Sequence, residues 1–187
     1  MGKGRVEAFS DGVIAIIITI MVLELRPPHE ATIAALAPLW PVFLSYVLSF
    51  AYIGIYWNNH HHMLHAVKHV SGSVLWANLH LLFWLSLTPF TTAWMGENHF
   101  APTPVAVYGV GLLMNAIAYS ILVRLLIRTH GRDSDFAARI GGDIKGYISL
   151  ALYILAVGLS FVNSWISLAI FFGVAMIWFI PDRRFER

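Results

Sequence analysis

None of the 187 residues is a cysteine, so disulfides, thiol catalysis and cysteine-ligated metals are excluded. Charge is scarce as well: Asp, Glu, Lys and Arg make up 12% of the chain, against roughly a quarter in a soluble domain. No carboxylate lies between Ala31 and Met95, and no charge of either sign between Gly146 and Pro181. The chain has no HExxH pair, no activated-serine pattern, no glycine-rich phosphate loop and no paired carboxylates at helical spacing within a span, so it is not expected to be an enzyme. A TVGYG-type carbonyl filter is missing too, and nucleic-acid binding has no support beyond the basic residues discussed below. No small-residue cleavage site follows the basic Met1–Lys3 start, so the first hydrophobic segment is expected to stay. Apolar sequence fills the space: 58% of residues are hydrophobic and the mean hydropathy is +0.70. This is the composition of an integral membrane protein.

A span needs about 20 apolar residues to cross the hydrocarbon core; segments 6–25, 35–57, 71–95 and 104–123 are that long, and 147–162 and 165–180 read as two shorter spans, six in all. Pro27 and Pro28 stop the first, because proline lacks the amide hydrogen and restricts its predecessor. Pro41 falls near the start of the second and Pro89 in the second half of the third. The uncharged run from Gly146 is too long for one span and divides at a hairpin at Asn163–Ser164. WNNHHHMLHAVKH is expected to be a polar junction, and RDSDFAARIGGDIKG a loop or short surface helix. The predicted fold is an all-α, polytopic, single domain over residues 1–187. No internal repeat links the halves, which weakens an inverted-repeat transporter. Eleven basic residues fall on one side of these spans and only Arg26 on the other. By the positive-inside rule both termini are then cytoplasmic, and Arg124, Arg128 and Arg132 form a basic edge suited to anionic lipid.

The first span is more than an anchor. It carries Arg5, Ser10, Asp11, Thr19 and Glu24, and polar groups at such depth normally face protein or a water-filled path. At about 100° per residue, Arg5, Phe9, Gly12, Ile16, Thr19/Ile20 and Leu23 share a stripe, while Asp11 points away from Ile16. Ile16, Ile20 and Leu23 suit lipid, a core or a symmetry axis equally. Around an axis they would make a narrow branched-aliphatic pore that gates by dewetting.

His60, His61, His62 and His65 are of metal-ligating type, with His61 and His65 one helical turn apart. No carboxylate accompanies them, and no metal centre is expected. His80 sits inside the third span, two residues after Asn78, at a depth that would let it join Ser10 and Asp11 in a buried network. An intramembrane Asp/His pair also suits a proton relay. A small proton-coupled secondary transporter using Asp11 and His80 is therefore the rival reading to a channel.

FSDGVIAI, with Arg5 four residues before Phe9, resembles the signature of the transmembrane protein 175 family of potassium-permeable channels in its single-repeat prokaryotic form. Trp57, His60 and His61 are similar to the family's tryptophan–histidine end of the second helix, and Asn78, Leu82, Pro89 and Phe90 to its third. The resemblance implies a homotetramer in a prokaryotic plasma membrane, with the pore along the symmetry axis and lined by the first helix. It implies weak preference for potassium over sodium, with potassium and other monovalent cations as permeant species, lipid as surroundings and no cofactor. Ile16, Thr19, Ile20 and Leu23 would form the constriction. Arg5, Phe9, Ser10, Asp11, Trp57, His60, His61, Asn78 and His80 would be signature residues or polar partners around it.

Overall fold

A computed structural model describes residues 2–131, 134, 136, 138 and 144–179. Helix α1, Lys3–Leu23, ends just before the Pro27–Pro28 pair. A 3₁₀ turn, Ile33–Leu39, leads into α2, Trp40–Ala66. Pro41 sits in its first turn, where the missing amide would have had no helical partner in any case. Helix α2 does not stop at Trp57 as expected. The presumed polar junction is helical to Ala66, because Met63 and Leu64 carry its apolar face onward and are fully buried. The Asn59 amide spends its donor on the Ile55 carbonyl within the same helix.

The third span is two helices, α3 (Gly72–Ser86) and α4 (Thr88–Glu97). Ser71 caps α3 by accepting from the Val74 amide. Pro89 offers no amide to the turn before it, so the chain breaks at Leu87 and restarts. The Thr91 and Thr92 hydroxyls both lie within hydrogen-bond distance of the Thr88 carbonyl, at 3.1 and 2.7 Å. Helix α5, Pro102–His130, runs past the predicted end at Val123. Helices α6, Ile144–Leu159, and α7, Ser164–Phe179, are joined at the expected hairpin, where Asn163 Oδ1 accepts from the Trp165 amide. Most of RDSDFAARIGGDIKG, and Ile180 at the predicted end of the sixth span, lie outside the described residues.

The six-span reading holds as four long apolar units (Lys3–Leu23, Ile33–Ala66, Gly72–Glu97 and Pro102–His130) and two shorter apolar helices, α6 and α7. Helix α5 packs on α3, α4, α6 and α7, whereas α1 lies to the side on α2, α3 and α4. Two cores result. One, mainly aliphatic, joins α1 to α3 and the far halves of α2 and α5 through Ile14, Ile17, Met21, Met63, Leu81 and Leu122. The other is aromatic and centres on Tyr52, Tyr108, Tyr153 and Phe171. Two glycines set helix spacing. A Cβ on Gly96 would lie 2.9 Å from Val42 Cα on α2, and one on Gly109 2.7 Å from Phe171 Cζ.

Candidate functional site

Helix α1 has two contrasting faces. Val6, Ser10, Ile14, Ile17 and Met21 are buried and recur at helical spacing, which defines the face held by the rest of the chain. Arg5, Phe9, Gly12, Ile16, Thr19, Ile20 and Leu23 lie on the other side and are exposed. Ile16 is 57% exposed and Leu23 77%, so none of the described residues covers the predicted stripe. Its one hydroxyl stays on this exposed face and back-bonds to the helix: Thr19 Oγ1 donates to the Ile16 carbonyl at 2.9 Å.

Behind the buried face runs a polar seam through three helices. Asn78 Nδ2 on α3 donates to Ser10 Oγ on α1 at 2.9 Å. Asn78 Oδ1 faces His60 Nε2 on α2 at 2.7 Å. Because the amide oxygen only accepts, His60 carries its proton on Nε2 in this arrangement. All three side chains are buried, none more than 2% exposed. Leaving any one of these groups unpaired would cost about 1–3 kcal/mol.

Asp11 is held separately. Trp57 Nε1 on α2 donates to Asp11 Oδ1 at 3.0 Å. The Trp57 indole stacks on His61, with centroids 6.0 Å apart, and His61 on His65 at 6.1 Å. Lys3 Nζ, at the start of α1, donates to the His65 carbonyl at 2.9 Å. Two tethers thus bind α1 to the exposed flank of α2.

The network predicted through His80 is not the one formed. His80 Nε2 accepts from Trp84 Nε1 one turn along the same helix, at 3.0 Å, and Asp11 pairs with Trp57 instead. The Asp11–His80 pair needed for the relay reading is therefore not assembled. His60 takes the place assigned to His80, because α2 continues as a helix and turns it inward. The sequence carried a signal for this: His60 is seven residues after buried Ile53 and four before buried Leu64, on one helical face. Arg5 is exposed and makes no side-chain hydrogen bond among the described residues, and Phe9 is 55% exposed. Neither belongs to the seam. Sequence reasoning gives no sign of Glu7, whose Oε1 is buried without a hydrogen-bond partner among the described residues.

A groove of about 590 Å³ runs between α1 and α3–α4. Val13, Ile16, Ile17 and Ile20 line one wall, Pro89, Phe90, Ala93 and Trp94 the other, and Glu24, Arg26 and Glu97 its charged end. Among the described residues no group of three or more histidines or carboxylates is placed to hold a metal.

These features define an all-helical polytopic membrane protein whose first helix is pinned along one face and uncovered along the other. A known family has this sequence and this fold. The profile of the family described as endosomal/lysosomal potassium channel TMEM175 matches residues 5–89. A potassium channel of Chryseobacterium sp. (strain P1-3) is 56% identical over 187 residues, covering 100% of this chain and 97% of that protein. The human endosomal/lysosomal proton channel TMEM175 is 38% identical over 96 residues, 44% of this chain and 19% of the human protein. The crystal structure of a lysosomal potassium-selective channel TMEM175 homolog from Chamaesiphon minutus superposes with a TM-score of 0.84 at 30% identity, covering 96% of this chain and 97% of that one. The chain belongs to the TMEM175 family, a family of ion channels and not of enzymes.

Proposed function

We propose that this protein is a potassium-permeable, weakly selective cation channel of a prokaryotic plasma membrane. It works as a homotetramer with both termini cytoplasmic, and each chain is a single channel domain. Four copies of α1 surround the axis and turn Ile16, Ile20 and Leu23 inward as stacked apolar rings, with Thr19 between the first two. The observation that carries this reading is the uncovered aliphatic face of α1 in a helix otherwise tied down by Ser10 and Asp11. Near full-length likeness to proteins named potassium channels supports it.

An aliphatic ring offers no substitute for a hydration shell. It excludes ions while narrow and dry, and passes them once it widens and wets. Selectivity is then modest and falls to the Thr19 oxygens and to carboxylates such as Glu24 near the end of the helix. The test is single-channel recording of purified protein in bilayers with potassium on one side and sodium on the other. Unitary currents reversing nearer the potassium potential are expected. Flux without unitary currents would indicate a carrier, and no flux would remove the channel reading altogether.

A further inference from the structure

Three of the nine histidines have a ring nitrogen in a hydrogen bond among the described residues. His60 is bound to Asn78 and His80 to Trp84. His69 and His130 lie only 4.5 Å apart, but His130 uses Nδ1 toward the Leu126 carbonyl and Nε2 toward the Lys68 amide. His61 and His65 are different. They sit one turn apart on α2, both exposed, with rings 6.1 Å apart and 16° from parallel. No ring nitrogen of either takes part in a hydrogen bond among the described residues. Two imidazoles at i and i+4 on one helical face are a chelating pair for a divalent transition metal. Nitrogens at about 2.0–2.1 Å from a shared ion are reached by turning the side chains, without moving the helix.

We propose that His61 and His65 bind a divalent ion of the zinc, nickel or copper class as a two-ligand site, water completing its shell, and that the bound ion alters channel activity. The second part rests on the channel reading above; the first does not. The route is short. His61 is the ring on which Trp57 stacks, Trp57 holds Asp11 of α1, and the residue that supplies the other ligand also accepts from Lys3 of α1 through its carbonyl. Drawing the two imidazoles onto one ion takes His61 off the Trp57 indole and thereby loosens or re-aims the Asp11 tether. The Lys3 ammonium opposes a cation here and the Asp11 carboxylate favours it. His62 is one position along, edge-on to His61 at 5.6 Å, and off the chelating face.

The test uses full-length protein without a histidine tag, titrated with Ni²⁺ by calorimetry. One saturable site per chain is expected, weakened at least about tenfold by His61→Gln or His65→Gln and unchanged by His62→Gln. No saturable binding, or equal binding by all variants, overturns the site. Paramagnetic resonance of added Cu²⁺ reads the number of coordinated imidazoles without any variant: two support the site, and one or none overturns it. Currents are then recorded with Ni²⁺ added to either face. A change in wild type that His65→Gln abolishes supports the regulatory step, and tight binding with unchanged current refutes that step alone. Wild-type protein that passes no current removes the channel reading and the regulatory step with it, while the binding measurements still decide the site.

Discussion

The two faces of α1 are built from nearly the same residues and meet opposite fates. Ile14 and Ile17 are buried at 1% and 3%, whereas Ile16 and Ile20 are 57% and 42% exposed. Hydrophobicity does not separate them, because lipid is as apolar as a protein interior and gives no reason to hide one isoleucine before another. The polar residues decide. Ser10 and Asp11 must find partners, Asn78 and Trp57 supply them, and the helix is thereby rotated so that Ile14 and Ile17 face the core. Ile16 and Ile20 are left over. On this view the orientation of the uncovered stripe follows from hydrogen bonds on its other side.

That contrast is most strongly tested by putting the same polar group on both faces. Ile17→Asn buries an amide in the aliphatic core, at about 1–3 kcal/mol for the unpaired group, and also loses packing. Folded, assembled protein after extraction is expected to fall sharply. Ile20→Asn and Leu23→Asn are expected to leave yield near wild type and to raise conductance or open probability, since a polar ring lowers the dewetting barrier. Size-exclusion yield and bilayer current, normalised to protein, read both. Equal loss of folded protein from the two faces, or no change in current from Ile16, Ile20 or Leu23, would mean that the stripe does not line the pore.

The next effect in size comes from the seam. Asn78→Leu removes both partners at once and orphans Ser10 and His60, each at about 1–3 kcal/mol. A lower melting temperature of the assembled protein is expected, with ion preference unchanged in whatever still assembles. Asp11→Ala should lower assembled protein less, because its partner Trp57 is 44% exposed and a freed indole there is not stranded in a core. Asp11→Asn keeps an acceptor and should cost least. A large shift in selectivity from Asp11→Asn with normal assembly would place Asp11 in the pore, against the geometry seen here.

Much of this was legible from composition and spacing, and the failures have physical causes. Six apolar units, the Asn163–Ser164 hairpin and the α1 stripe follow from hydropathy and the helical period. The break at Leu87 is only half visible: Pro89 announces a disturbance, but proline bends some membrane helices and splits others. Helix α2 runs past Trp57 because its histidines and asparagines, though polar, share a helix whose other face still carries buried Met63 and Leu64. His60 is legible as a polar partner by resemblance, but its bond to Asn78 depends on that continuation of α2. With α2 ended early, His80 was the one histidine left at the depth of Ser10, although its own turn offered it Trp84. Glu7 was invisible because burial of one carboxylate oxygen depends on how α1 rotates, which hydropathy does not specify.

The smallest expected effect, and the sharpest, concerns Thr19. It is the hydroxyl on the free face, and its hydrogen is spent on the Ile16 carbonyl. Its oxygen lone pairs are what it can present outward, and four copies around an axis would offer a ring of acceptors to a cation. A hydroxyl used this way contributes little to folding, so Thr19→Val, which keeps the shape and removes the oxygen, should leave assembly and total current near wild type. Discrimination between potassium and sodium should erode, with the reversal potential under mixed ions moving toward zero. Thr19→Ser keeps the oxygen and the back-bond to Ile16 and should hold the wild-type reversal potential. If Val and Ser behave alike, the oxygen is not what discriminates. Selectivity would then reside in the diameter of the aliphatic rings, and Ile16→Val or Ile20→Val should shift it instead.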